Sequence, residues 1–100
     1  MSDGAVVRAD IVVSGRVQGV GFREFSRKVA ERIALVGYAM NMHDGRVSVV
    51  VEGTRESIDT LVGELRRGPR LGRVENVEVR WGTARGEFAA FGIRYAGRDT

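Results

Sequence analysis

The segment Gly15-Arg16-Val17-Gln18-Gly19-Val20-Gly21-Phe22-Arg23 joins an alternating apolar pattern to a helical one, and this junction most constrains the fold. Before it, Val7, Ala9, Ile11 and Val13 alternate with Arg8, Asp10, Val12 and Ser14, the period of a half-buried strand. After it, Phe22, Phe25, Val29 and Ile33 recur at helical spacing, with Arg23, Arg27, Lys28 and Glu31 off the stripe. Three glycines at the junction let the backbone take angles other residues avoid, so successive N–H groups can face one concavity. The first N–H groups of the following helix lack partners and carry roughly half a positive charge. A tetrahedral anion fits such a place, and Arg23 in the first turn can grip two of its oxygens. Loop physics alone leaves two readings open, an anion cradle or a plain glycine-rich turn. The spacing is neither G-x-G-x-x-G nor a Walker loop, because no Lys-Ser or Lys-Thr closes it.

The rest of the chain predicts the order βαββαβ. Gly37 opens a second strand running to about Met42, and Asp44-Gly45 is a hairpin turn. Val47, Val49 and Val51 form the inner face of a third strand, and Thr54 is a candidate N-cap. Ile58, Leu61, Val62 and Leu65 make a second helical stripe, which Gly68-Pro69 stops. Val77, Val79 and Trp81 alternate in a fourth strand; Phe91, Ile93 and Tyr95 suggest a short final edge strand, and Arg98-Asp99-Thr100 a loose end. The order is that of the ferredoxin-like split unit, an α+β sandwich with two helices on one face of a mainly antiparallel sheet. In that topology the first and second strands run parallel and end at one sheet edge. Arg23 and Asn41 are thereby expected at one site.

One hundred residues, 43% of them hydrophobic, suit one domain spanning residues 1–100 with a single core. No apolar run approaches a membrane span, and the start, Met1-Ser2-Asp3-Gly4, shows no signal peptide. Zero cysteines exclude disulfides, thiol catalysis and cysteine metal sites, and a single histidine excludes a histidine cluster. A cytoplasmic protein without metal or cofactor is expected. The net charge of +3 is almost all arginine and spread along the chain, so no nucleic-acid stripe is present. The third strand also lacks the exposed aromatics by which RNA-recognition modules of similar fold stack bases.

The glycine junction resembles the N-terminal signature of the acylphosphatase family, G-[K/R]-V-Q-G-V-x-F-R. A second signature, glycine-aromatic-x-x-Asn-x-x-Asp-Gly, is matched by Gly37-Tyr38-Ala39-Met40-Asn41-Met42-His43-Asp44-Gly45. The likeness continues through Arg46-Val47, Glu52-Gly53, Gly68-Pro69 and Phe91-Gly92-Ile93-Arg94-Tyr95. It implies a ferredoxin-like fold and hydrolysis of acyl phosphates, whose carboxylate leaves without protonation. By resemblance, the loop of Arg16, Val17, Gln18, Gly19, Val20 and Gly21 binds phosphoryl oxygens through backbone N–H groups. Arg23 binds them through its guanidinium, and Asn41 holds the attacking water, its amide offering donor and acceptor. The side chains of Arg16 and Gln18 either touch the anion or only shape the loop. His43 is read as an exposed loop residue and Asp44 as turn chemistry. The chain departs from the family pattern at Met40, where a basic residue is common, and at His43, where proline is common. The expected partners are an acyl phosphate and, as competitors, inorganic phosphate or sulfate, with no nucleic acid, no membrane and a monomeric state. Two alternatives are a noncatalytic phosphate-binding module and a relative directed at carbamoyl phosphate, as in hydrogenase-maturation proteins that carry this domain at their N-terminus. The absence of following domains points to a free-standing enzyme.

Overall fold

A computed structural model describes residues 4–95, and the expected loose end at Arg98-Asp99-Thr100 lies outside them, as do Met1, Ser2 and Asp3. The elements in chain order are the strand Val6–Arg16 (β1), the helix Phe22–Arg32 (α1), the strands Val36–Asn41 (β2) and Val47–Thr54 (β3), the helix Arg55–Arg67 (α2), and the strands Arg73–Thr83 (β4) and Phe91–Arg94 (β5). They form one five-stranded sheet in the order β4-β1-β3-β2-β5 with both helices packed on it, the expected ferredoxin-like α+β architecture. β3 is antiparallel to β1 and to β2, so β1 and β2 run the same way with β3 between them. Their C-terminal ends therefore meet at one sheet edge, as the topology required. β5 adds a parallel pairing to β2, Gly37 opposite Phe91 through Met40 opposite Arg94, which makes the sheet mixed.

The period-two residues find the core. Ala9, Ile11 and Val13 from β1 and Val47, Val49 and Val51 from β3 are fully buried. They pack with Phe22, Val29 and Ala30 of α1 and with Ile58, Leu61, Val62 and Leu65 of α2. The two helices begin differently. Thr54 caps α2, its hydroxyl accepting from the Ser57 N–H at 3.1 Å. α1 starts from Gly21 with no side-chain cap.

β4 keeps the expected phase but not the expected burial. Val77, Val79 and Trp81 stand opposite Val13, Ile11 and Ala9 on the core side. Val77 is buried, Val79 is partly buried and Trp81 is 36% exposed. Trp81 lies at the very start of the helical layer, where its ring meets the first residue of α2, the Arg55 guanidinium 4.1 Å from its centroid.

A long connection, residues 84–90, carries the chain from β4 at one edge of the sheet to β5 at the other. It is pinned by Glu52, a side chain of β3 only 3% exposed. The Glu52 carboxylate accepts from the backbone N–H groups of Arg85 at 2.8 Å and Gly86 at 3.0 Å, and from Arg8 at 3.5 Å. Phe88 then packs edge-on against Tyr38 of β2. The connection is thereby fixed so that β5 delivers its last residues beside α1.

Candidate active site

β1 shifts register against β4 between Ser14 and Gly15, pairs on through Gly15 and Arg16, and then leaves the sheet. Val17 turns its side chain into the core, 1% exposed, and Val20 packs against the same core. These two apolar anchors leave the backbone between and after them facing outward. Gly19 and Gly21 take left-handed φ values of 75° and 78°, and an ideal Cβ at either would stand in open space. Glycine serves here for conformation and for an unobstructed backbone. The Gly21 carbonyl accepts from the Phe25 N–H at 2.9 Å and starts α1. With no side chain capping this helix, its first-turn N–H groups and positive dipole end are left to a ligand.

The loop opens into a cleft of about 170 Å³ lined by Val17, Gly19, Gly21, Phe22, Arg23, Glu24, Asn41, Ile93 and Tyr95. Arg23 arrives from the first turn of α1 and Asn41 from the last position of β2, where it pairs with Val47. An adjoining depression shares Arg23, Asn41 and Tyr95 and adds Gln18, Met42 and His43. The β2–β3 turn beside it closes through Met42 N–H to the Arg46 carbonyl at 2.8 Å and Gly45 N–H to the Met42 carbonyl at 3.2 Å.

The carboxylates near the cleft are committed to arginines. Glu24 pairs with Arg27, whose hydrogen bonds hold its carboxyl below the usual range. Asp44 accepts from the Arg46 side chain at 2.9 Å and its backbone N–H at 3.2 Å, and these bonds lower its pKa. Asp44 is thus an ionised turn residue, as read from the sequence. Arg23 differs: its Nη1 donates to the Arg94 carbonyl at 3.3 Å and its guanidinium lies over the Tyr95 ring. Among the described residues it pairs with no carboxylate, so its positive charge is not cancelled.

Of the residues singled out from the sequence, Val17, Gly19, Gly21, Arg23 and Asn41 come together on this cleft. Val17 can offer a ligand only its backbone. Arg16 is the exposed last residue of β1 and Val20 packs inward, both outside the lining. The Gln18 side chain is engaged with the hairpin, its Nε2 donating to the carbonyls of Met42 at 2.8 Å and Arg46 at 2.9 Å. His43 is exposed on the rim of the depression. Tyr95 was not foreseen at the site. Its alternation with Phe91 and Ile93 reads as a strand face, but β5 stops at Arg94 and the ring is 64% exposed at the cleft.

Fold and site together define a ferredoxin-like α+β domain with a basic, glycine-lined cleft at one edge of its sheet. Comparison with known proteins agrees. The acylphosphatase family model matches residues 9–93. A curated acylphosphatase of Thermus thermophilus is 53% identical over 75 residues, covering 75% of this chain and 85% of that protein. One from Methanococcoides burtonii is 49% identical, covering 86% of this chain and 90% of that one. The crystal structure of acylphosphatase from Bacillus subtilis superposes with a TM-score of 0.86 at 32% identity, covering 89% of this chain and 99% of that one. The chain belongs to the acylphosphatase family.

Proposed function

We propose that this chain hydrolyses the carboxyl–phosphate bond of acyl phosphates, releasing a carboxylate and inorganic phosphate. One convergence supports the reading: Arg23 and Asn41, from different elements, line the same cleft as the left-handed glycine loop. Backbone N–H groups of the loop and the uncapped start of α1 hold the phosphoryl oxygens, and the Arg23 guanidinium balances their charge. Asn41 orients a water for in-line attack at phosphorus. The new P–O bond forms as the bond to the acyl oxygen breaks, and the electron pair leaves with the carboxylate. An amide is a poor base, so the water's proton passes to a phosphoryl oxygen of the substrate itself.

The scheme draws on no metal or cofactor. Among the described residues Glu24 is the one carboxylate lining the cleft, and Arg27 holds it. The chain acts on a small molecule as a cytoplasmic monomer. Among the described residues no helix is long and apolar enough to cross a membrane. On the open sheet face Val50 and Glu52 are buried, and Glu52 is held under the 84–90 connection, which leaves little for RNA bases to stack on.

The test is hydrolysis of benzoyl phosphate against an alkyl phosphate monoester by purified protein, with and without chelator. The acyl phosphate is cleaved and the monoester is not, because an alkoxide must be protonated to leave. Chelator has no effect, and inorganic phosphate and sulfate inhibit competitively, less so as salt rises. Equal rates on the two substrates, or magnesium-restored activity after chelation, overturn the scheme.

A further inference from the structure

We propose that Gln18 is a positioning residue for catalysis, a tether that sets Asn41 against the glycine loop rather than a ligand of the anion. The inference rests on the water-holding role proposed for Asn41. Both N–H groups of the Gln18 amide are spent on the hairpin, at 2.8 Å to the Met42 carbonyl and 2.9 Å to the Arg46 carbonyl. The hairpin does not need them to close. The Met42 carbonyl already accepts from the Gly45 N–H, and the Arg46 carbonyl from the Met42 N–H. What Gln18 adds is a link between two segments distant in sequence. One carries Gly19 and Gly21 of the cleft; the other begins at Met42, the residue directly after Asn41. Gln18 itself sits between the core anchor Val17 and Gly19, so its backbone is fixed on the loop side. Its amide fixes the hairpin side. The separation between a phosphoryl group on the loop and a water on Asn41 is thereby held by two hydrogen bonds. In-line attack is sensitive to that separation, and a displacement on the order of 1 Å costs about a hundredfold in rate.

A tether and a ligand differ in what they change. Gln18→Met keeps the length of the side chain and its neutrality but removes both donors. We expect kcat on benzoyl phosphate to fall about ten- to a hundredfold, as a misplaced water predicts. The inhibition constant of inorganic phosphate should change by less than about threefold, since binding without loss of orientation separates from turnover. In an Asn41→Ala background, Gln18→Met should lower kcat by less than about twofold, because residues that act as one unit are not additive. Gln18→Ala repeats the series, and circular dichroism with thermal unfolding confirms that each variant is folded. A parallel rise in the phosphate constant makes Gln18 an anion ligand and overturns the tether. Losses that multiply in the double variant, with Asn41→Ala itself impaired, overturn the tether but leave the role of Asn41 standing. Full turnover by folded Asn41→Ala removes both.

Discussion

The guanidinium of Arg23 lies over the ring of Tyr95, 4.8 Å from its centroid, and donates to the carbonyl of the preceding residue, Arg94. A ring and a neutral carbonyl orient an arginine without neutralising it. That suits a cation that must meet an anion, and it gives β5 a purpose at the site. Tyr95→Ala should therefore raise the inhibition constant of phosphate by about two- to fivefold, equivalent to the 0.5–1 kcal/mol of an exposed cation–π contact. Tyr95→Phe should bind phosphate as the parent does, since the ring face is kept. An alanine variant with unchanged affinity would show that the stack plays no part in holding Arg23.

Arg23 and Asn41 should fail in different ways. Arg23→Ala should weaken phosphate binding and turnover together, because the guanidinium grips ground state and transition state alike. Arg23→Lys should restore little, since a point charge cannot reproduce a planar two-pronged contact. Asn41→Ala should keep phosphate affinity while lowering kcat by about a hundredfold or more, the scale of losing one preorganised polar group. Phosphate inhibition and kcat, measured on folded variants, decide it. Normal phosphate binding by Arg23→Ala would mean the cradle is misassigned.

The pattern of what was legible follows interaction range. The Thr54 cap, the Asp44-Gly45 turn and both helical stripes are short-range patterns, written within a few residues of one another. The meeting of Arg23 and Asn41 was also readable, because βαββαβ order alone makes β1 and β2 parallel. Burial along β4 was not, because alternation gives the phase of Trp81 but not where the helical layer begins. Tyr95 was hidden for a similar reason. Its place depends on the 84–90 connection crossing the whole sheet so that β5 pairs with β2, and no local signal marks that. The anchor of that crossing, Glu52, was noticed only as part of a family likeness; the Arg85 and Gly86 N–H groups it accepts from carry no sequence signature. Gln18 left two readings open, and its hydrogen bonds to the hairpin favour loop shaping.

His43 is the only histidine and sits at the rim of the depression beside Asn41. Its exposure in a turn argues against chemistry. His43→Ala should leave kcat and the pH profile on benzoyl phosphate nearly unchanged. A loss of about a hundredfold, the scale of general acid–base catalysis, would bring the imidazole into the mechanism and displace the substrate-assisted proton transfer.

Glu52 predicts how the fold responds to acid. The N–H of Arg85 first, then that of Gly86 and the Arg8 guanidinium, hold its carboxyl below the usual carboxylate range despite burial. The ionised form is thus favoured in the folded chain more than in the unfolded one. Its contribution is complete above the unfolded pKa, at neutral pH, and is lost as pH falls through the depressed folded value. Glu52→Gln keeps the shape and one acceptor but removes the charge. It should cost about 1.5–3 kcal/mol at pH 7, the scale of hydrogen bonds to a charged group. The difference between parent and variant should shrink as pH drops below about 4, where a free glutamate protonates. Urea unfolding of both proteins from pH 7 down to pH 3 measures this directly. Because Glu52 also holds the connection that delivers β5, the variant should show a higher phosphate inhibition constant at pH 7, through a looser Tyr95 and Arg23. A constant gap between the two stability curves across the acid range would show that the Glu52 charge does not anchor the connection.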